Sequence, residues 1–340
     1  MIDRNHLKER KQKMKKGKKI ATEIVRMVLL LIAVSMAAFL LITKAPIDPL
    51  VSYIGTNSTL SQEAKDEIAD YWGLNDPLPK RFATWANHAL HGDLGISITY
   101  KKPVVEVVKE RVAYSFVLMF PAWALSGIFG FIIGIFCGLY QGSILDRVIK
   151  VCSLALKSAP TFWLGLLILM VFSVQLGWFP IGMAAPAGKL AEEVTPGDRV
   201  YHLILPVFTL TIVSMSEMIL YTRQKLIEIM DSDFILYAKA RGETKGQLVR
   251  RHVLRNIALP AITVQFASFS ELFGGMALAE NVFSYPGIGT ATTAAAMNAD
   301  VPLLLGIALF SAVFVFTGNL IANILYGVFN PRIREGGNYV

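Results

Sequence analysis

Three carboxylates, Glu217, Glu271 and Glu280, stand inside long apolar runs. A charge in hydrocarbon is costly and is kept there by a partner or by a water-filled path. Each is therefore a candidate either to face an aqueous cavity and meet a cationic solute, or to pair with a polar group on another chain. His88 and His91 lie three residues apart on a predicted helix, a spacing that puts two imidazoles on one face. Two ligands make an incomplete metal site, so a solvent-facing helix rim is the plainer reading of this pair. Met215, Met218, Met276 and Met297 offer soft sulfur, but methionine in apolar helices is ordinarily packing. Cys137 and Cys152 are not spaced as C-x-x-C and read as core thiols. No Ser-His-Asp or paired-carboxylate arrangement has a supportable spacing. Gly242-Glu243-Thr244-Lys245-Gly246 lacks the second Gly and the Gly-Lys-[ST] ending of a phosphate loop. The chain is thus predicted to hold no catalytic site, no metal and no cofactor of its own.

The elements that must position these residues are apolar helices. Hydrophobic residues make up 54% of the 340 and charged ones only 17%. The apolar residues gather in runs at 20–42, 114–140, 160–179, 202–221, 258–283 and 301–329. A hydrocarbon core needs roughly 20 apolar residues per helix, so these predict an all-α polytopic membrane protein with about six spans. The basic stretch 8–19 followed by the first run has the order of a signal peptide. That run is too long for one, and no small-x-small cleavage site follows before Lys44, so a retained span is expected. Gly127, Gly130, Gly134 and Gly138 recur at helical spacing in the second run, a stripe suited to close helix packing.

The formal charge of +8 could signal nucleic acid, but Lys and Arg cluster at the N-terminus and beside apolar runs, without aromatic interleaving. Read by the positive-inside rule, the basic groups at 8–19, 147–150, 223–255 and 332–334 lie in the cytoplasm together with the N-terminus. Lys157, just before Pro160, can snorkel to the inner interface. Outside lies a hydrophilic region, 43–111, where Ser61 opens a predicted helix and Gly92-Asp93-Leu94-Gly95 a turn. Inside lies the loop 223–257. Asp231, Ser232 and Asp233 can cap a helix there that Gly242 ends in a left-handed conformation, and a second helix is expected over 245–256. Ala238 and Ala240 leave little bulk at the bend, so another protein could approach the backbone. The residues alone leave this basic hairpin open between a protein-docking element and one lying on anionic lipid.

Tyr237-Ala238-Lys239-Ala240-Arg241-Gly242, followed by Arg251-His252-Val253-Leu254-Arg255-Asn256 and Leu259-Pro260, resembles the cytoplasmic loop of binding-protein-dependent ABC importer permeases of the oligopeptide/dipeptide/nickel branch. Gly73-Leu74-Asn75-Asp76-Pro77-Leu78, Gly92-Asp93-Leu94-Gly95-Ile96-Ser97 and Pro103-Val104 resemble the external region of that family's first (B-type) permease subunit. The stretch from Glu280 through Asn281-Val282-Phe283-Ser284-Tyr285-Pro286-Gly287-Ile288-Gly289, then Asp300 and Asn330-Pro331-Arg332-Ile333-Arg334, resembles its last two spans. Two departures, Leu236-Tyr237 in place of a Glu-Ala pair and a longer gap from Gly242 to Ile257, are similar to what the peptide/nickel branch shows.

The resemblance implies the type I, MetI-like permease fold, with residues 237–242 as the helix that seats in an ATPase. It also implies a second homologous permease, two ABC ATPases that hold the ATP and Mg, and an extracellular substrate-binding protein. The place is a bacterial plasma (inner) membrane, in contact with lipid and with no nucleic acid. The expected organisation is a basic cytoplasmic tail 1–19, a first transmembrane helix 20–43, an extracellular or periplasmic region 44–112, a permease core 113–330 with coupling loop 223–257, and a cytoplasmic tail 331–340. Peptides are the expected cargo. Nickel or a metal chelate is the alternative, with a weak hint from Ala45-Pro46-Ile47-Asp48-Pro49, where Gly-Asp-Pro is more usual. A secondary transporter or channel would call for internal repeats, and none is seen between the halves.

Overall fold

The computed structural model describes residues 22, 24–41, 44, 50–55 and 60–329. The expected tails 1–19 and 331–340 and the motifs at 45–49 and 330–334 lie outside them. In chain order the helices are α1 (Ile24–Leu41), α2 (Val51–Ile54), α3 (Gln62–Tyr71), α4 (Leu78–Leu90), α5 (Val104–Leu139), α6 (Ile144–Ser158) and α7 (Thr161–Leu169). There follow α8 (Pro196–Met230), α9 (Asp233–Ala240), α10 (Lys245–Leu248), α11 (Leu254–Ala267), α12 (Phe269–Val282), α13 (Ile288–Met297) and α14 (Val301–Phe329). Two strands, β1 (Ile96–Ser97) and β2 (Lys102–Pro103), precede α5. The chain divides into two compact units, 1–109 with 294–320 and 110–293 with 321–340.

In the first unit the aromatic residues of the hydrophilic stretch build a core. Phe39 of α1, Trp72, Trp85 of α4, and Val301 and Leu305 of α14 pack together. Phe39 meets Phe82 edge-on at 5.4 Å, and the Arg81 guanidinium stands 5.9 Å above the Phe39 ring. Ser61 caps α3 as its sequence predicts, accepting the Ala64 N–H at 3.3 Å. β1 and β2 pair antiparallel, Ile96 opposite Pro103 and Ser97 opposite Lys102. A ladder this short has no independent stability, and a buried carboxylate completes it. Asp300 Oδ2 accepts the Ser97 hydroxyl at 2.5 Å and the Thr99 N–H at 3.0 Å, while Oδ1 accepts the Leu303 N–H at 3.1 Å and so caps α14.

The second unit is built on α8, with α6, α7, α11 and α12 packed against it. Its start is specified locally: Thr195 and Asp198 form a reciprocal capping box. The glycine stripe of α5 makes the close contact that its spacing anticipates: Gly130, Gly134 and Gly138 meet α8, while Gly127 faces Gln265 of α11. A methyl group at Gly130 would lie 2.7 Å from Met218 Cβ, and one at Gly134 2.7 Å from Thr222 Cβ. Absence of side chains therefore sets the approach of the two helices.

Two predicted spans are not single helices. The run 160–179 yields only α7 and a wide π turn over Met170–Gln175, and these join α6 at a bend of 110°. Ala159 is extended, φ −83° and ψ 137°, because the following Pro160 excludes the helical conformation there. The run 258–283 breaks at Ser268 into α11 and α12, which meet at 46°. Among the described residues four helices are long and apolar enough to cross a membrane, and up to six if each bent pair counts as one. Cys137 is buried as expected, but Cys152 is exposed on α6, which corrects its reading as a core thiol: an apolar neighbourhood in sequence does not say which face of the helix is covered.

Candidate functional site

The loop after α8 folds into the hairpin that the sequence predicts, and the contacts give its logic. Ser232 takes the N-cap position of α9, but its side chain turns back and its hydroxyl donates to the Ile229 carbonyl at 2.5 Å, so it does not serve as a side-chain cap. At the other end Gly242 has φ +85°. Its N–H bonds the Lys239 carbonyl at 2.9 Å, and the Glu243 N–H bonds that of Ala238 at 3.3 Å. This paired pattern closes a helix on a left-handed residue, a conformation glycine adopts without steric penalty. Thr244 and Gln247 then form a capping box that starts α10, and His252 Nε2 lies 3.1 Å from Glu243 Oε2 across the turn.

The expected second helix over 245–256 does not stop there. It runs through a π turn at Val249–Val253 directly into α11, so the hairpin's return arm is the start of a bent span. Ile235 and Ala238 of α9 are buried with Leu226 of α8 and with Leu248, Val253 and Ile257. Ala238 was expected to leave room for a partner; its small side chain instead packs inside the hairpin, while Ala240 is exposed. The outward face carries Phe234, Leu236 and Tyr237, the last two 66% and 68% exposed, with Lys239 and Arg241 beside them. This exposed apolar face, flanked by two cations, belongs to a helix packed against α8 and the return arm of the hairpin.

The three carboxylates have different situations. Glu217 of α8 pairs with Lys157 at the end of α6, Nζ to Oε1 3.2 Å, both side chains partly exposed. Its partner is thus within the chain, and Lys157 reaches sideways to it. Glu271 sits exposed in the first turn of α12. Glu280 is fully buried. It accepts the Ser115 hydroxyl and the Gly289 N–H, each at 2.6 Å, and Ser115 Oγ accepts the Ile288 N–H at 2.8 Å. Glu280 therefore anchors the turn after α12, and its oxygens are not presented to a solute within this chain. At the α8 N-terminal end a hollow of 570 Å³ is lined by Tyr114, Tyr285, Arg199, Leu203 and residues 183–189. Burial pushes the Tyr285 phenol up to about 12.

The two histidines do not converge. His88 stacks on Tyr71 at 4.4 Å and meets Trp72 edge-on, whereas His91 Nδ1 is 2.8 Å from the Asn87 carbonyl. Among the described residues no group of three or more His, Cys, Asp or Glu could hold a metal ion. Met218 and Met276 are buried as packing, and Met297 is exposed.

The family described as the binding-protein-dependent transport system inner membrane component matches residues 130–335, well over half of the chain. The chain belongs to this family. It is 33% identical over 320 residues to the oligopeptide transport system permease protein AppB of Bacillus subtilis, covering 93% of this chain and 100% of that protein. It is 31% identical over 325 residues to the di/tripeptide transport system permease protein DppB of Pseudomonas aeruginosa, covering 89% and 94%. An inward-facing structure of the MetNI methionine ABC transporter matches with a TM-score of 0.51 at 15% identity, covering 66% of this chain and 96% of that one. That likeness supports the MetI-like permease fold.

In this inner-membrane component the capping pairs Thr244 with Gln247 and Ser143 with Asp146 carry a local signal in their three-residue spacing. Nothing local pointed to Asp146 and Arg223, which are 77 residues apart and form a bidentate pair.

Proposed function

We propose that this permease is the first membrane subunit of an ATP-driven peptide importer in a bacterial plasma membrane. The observation that carries the reading is the α9 hairpin, with Ile235 and Ala238 locked inward and Leu236 and Tyr237 outward. In this reading the segment 237–242, through its exposed side chains and those of Phe234 and Leu236, seats in one of two ABC ATPase subunits, which supply ATP and Mg. A second, homologous permease completes the pathway, and an extracellular binding protein delivers cargo. The N-terminus lies in the cytoplasm with the basic loops. ATP-driven approach of the ATPases displaces α9; the cluster around Leu226 passes the displacement to α8 and α11, shifting the population from inward-open to outward-open. Glu271 and the Lys157–Glu217 pair offer both signs of charge to the termini of a peptide. The names of the relatives, oligopeptide and di/tripeptide permeases, favour peptides over nickel.

Cargo is tested by uptake of labelled peptides and of labelled nickel in a strain lacking this subunit. Peptide uptake is expected to fall to background and to return with the wild-type chain; loss of nickel uptake with peptide uptake intact would replace peptide by metal.

The hairpin is tested at Gly242. No atom of this chain lies within 4 Å of a Cβ added there, so within the hairpin substitution acts through the backbone. A left-handed conformation costs an ordinary residue about 1–2 kcal/mol, and a β-branched one suffers most. Gly242→Val is expected to lower peptide uptake several-fold and to weaken co-purification of the ATPases, with normal amounts of the chain in the membrane. Gly242→Asn retains most of both. Unchanged uptake and association in Gly242→Val would remove the docking assignment.

A further inference from the structure

Arg223 is one of the cations that the loop's basic character assigns to topology, but its guanidinium is turned inward. It donates from Nε to Asp146 Oδ1 at 2.5 Å and from Nη2 to Oδ2 at 2.8 Å. The Asp146 side chain is 3% exposed and that of Arg223 15%. Asp146 Oδ2 also accepts the Gly142 N–H at 2.9 Å, and the Asp146 N–H is taken by Ser143 Oγ at 3.2 Å. One carboxylate therefore grips the elbow between α5 and α6, the first turn of α6, and α8.

The α8 turn it holds is the one that receives the hairpin. Leu226, three residues beyond Arg223, is in the cluster with Ile235 and Ala238 of α9. Gly138 of α5 sits against the same turn: a methyl group there would lie 2.9 Å from Leu226 Cδ2 and 3.2 Å from the Arg223 carbonyl oxygen. Beyond the elbow α6 runs to the 110° bend and α7, which packs on α8 and α12.

A buried ion pair is poor evidence for stability, since apolar side chains of similar volume commonly hold helices together equally well. What a two-point Arg–carboxylate contact adds is a fixed relative orientation. We propose that Asp146 and Arg223 are a positioning pair for transport: they oblige the α5–α6 elbow, and with it α6 and α7, to move with α8 when the hairpin is displaced. Without the pair, the hairpin can still be moved by the ATPases, but α8 slips past α6 and hydrolysis is no longer matched by movement of cargo. This rests on the docking reading of the hairpin given above.

The test uses the complete transporter in proteoliposomes, with its binding protein and a labelled peptide, and reads peptide delivered per ATP hydrolysed along with the amount of assembled complex. Asp146→Asn, Arg223→Gln and Arg223→Lys are expected to lower that ratio by at least about fivefold, the low end of ordinary coupling between sites. Arg223→Lys keeps the charge and the stem, so it is the variant best placed to assemble normally while losing the two-point grip. The exchanged pair Asp146→Arg with Arg223→Asp is expected to recover part of the ratio. A purely structural role would lower the amount of assembled complex while the ratio stayed at the wild-type value, and that result overturns the proposal, as does a wild-type ratio with normal assembly. Gly242→Val, measured in parallel, separates the two claims. If it lowers ATPase association and uptake while the Asp146 and Arg223 variants keep the wild-type ratio, only the positioning pair fails. If Gly242→Val itself changes neither, the docking reading has failed.

Discussion

Gly134→Leu is expected to abolish accumulation of folded permease in the membrane, and Gly134→Ala to lower it. A methyl group at this position would lie 2.7 Å from Thr222 Cβ, 2.8 Å from the Ile219 carbonyl oxygen and 3.2 Å from Thr222 Cγ2. The carbonyl belongs to the α8 backbone and cannot rotate away as a flexible side chain does, so relief requires the two helices to separate. Separation would undo the neighbouring approaches at Gly130 and Gly138, which meet Met218 and Leu226 on the same face of α8. Lipid competes for apolar helix surfaces without a hydrophobic penalty, so the association depends on close packing. Overpacking a well-filled interface costs about 1–3 kcal/mol for modest additions and occasionally more. The alanine variant belongs in that range and the leucine variant beyond it. The measurement is the monodisperse yield and thermal midpoint of the detergent-solubilised protein. Gly246→Ala is the control: no atom lies within 4 Å of the added carbon, and alanine favours the helix by roughly 0.5–1 kcal/mol. Wild-type yield for Gly134→Leu would mean that α5 and α8 are not packed through this stripe.

The second large effect is expected at Asp300. Replacement by Ala removes the cap of α14 and leaves the Ser97 hydroxyl and the Thr99 N–H without their acceptor. Loss of a helix cap costs about 0.5–2 kcal/mol and a stranded buried donor about 1–3 kcal/mol, so a loss of roughly 2–4 kcal/mol is expected after partial rehydration. The damage should centre on the connection between β1 and β2, because a two-residue ladder has little else to hold it. Limited proteolysis is expected to open Asp300→Ala between Ser97 and Lys102, where the wild type resists. Asp300→Asn keeps a capping oxygen but only one acceptor atom, and should fall between the two. Equal protease resistance in all three proteins would show that the carboxylate is not what orders the hairpin.

Much of this protein was legible without coordinates. Long apolar runs implied membrane helices because hydrocarbon tolerates little else, and Ser61 and Gly242 marked a helix start and a helix end because caps depend on the residue and its immediate neighbours. The glycine stripe on α5 announced a close contact, since its four residues share one helix face. These are local rules, readable within one or two turns of chain.

The tertiary structure decided which partner each of these features meets. The stripe did not name α8, and the break at Ser268 has no proline or glycine to announce it. Four buried or partly buried carboxylates found partners far along the chain: Asp146 with Arg223, Glu217 with Lys157, Glu280 with Ser115, and Asp300 with Ser97, separated by 77, 60, 165 and 203 residues. Glu280, read from the sequence as a candidate to meet cargo, became an anchor for this reason. An apolar run determines that a helix exists and that a charge within it requires a partner. Which partner it finds depends on the rotation and depth at which helices pack, and those are set by the fit of whole surfaces.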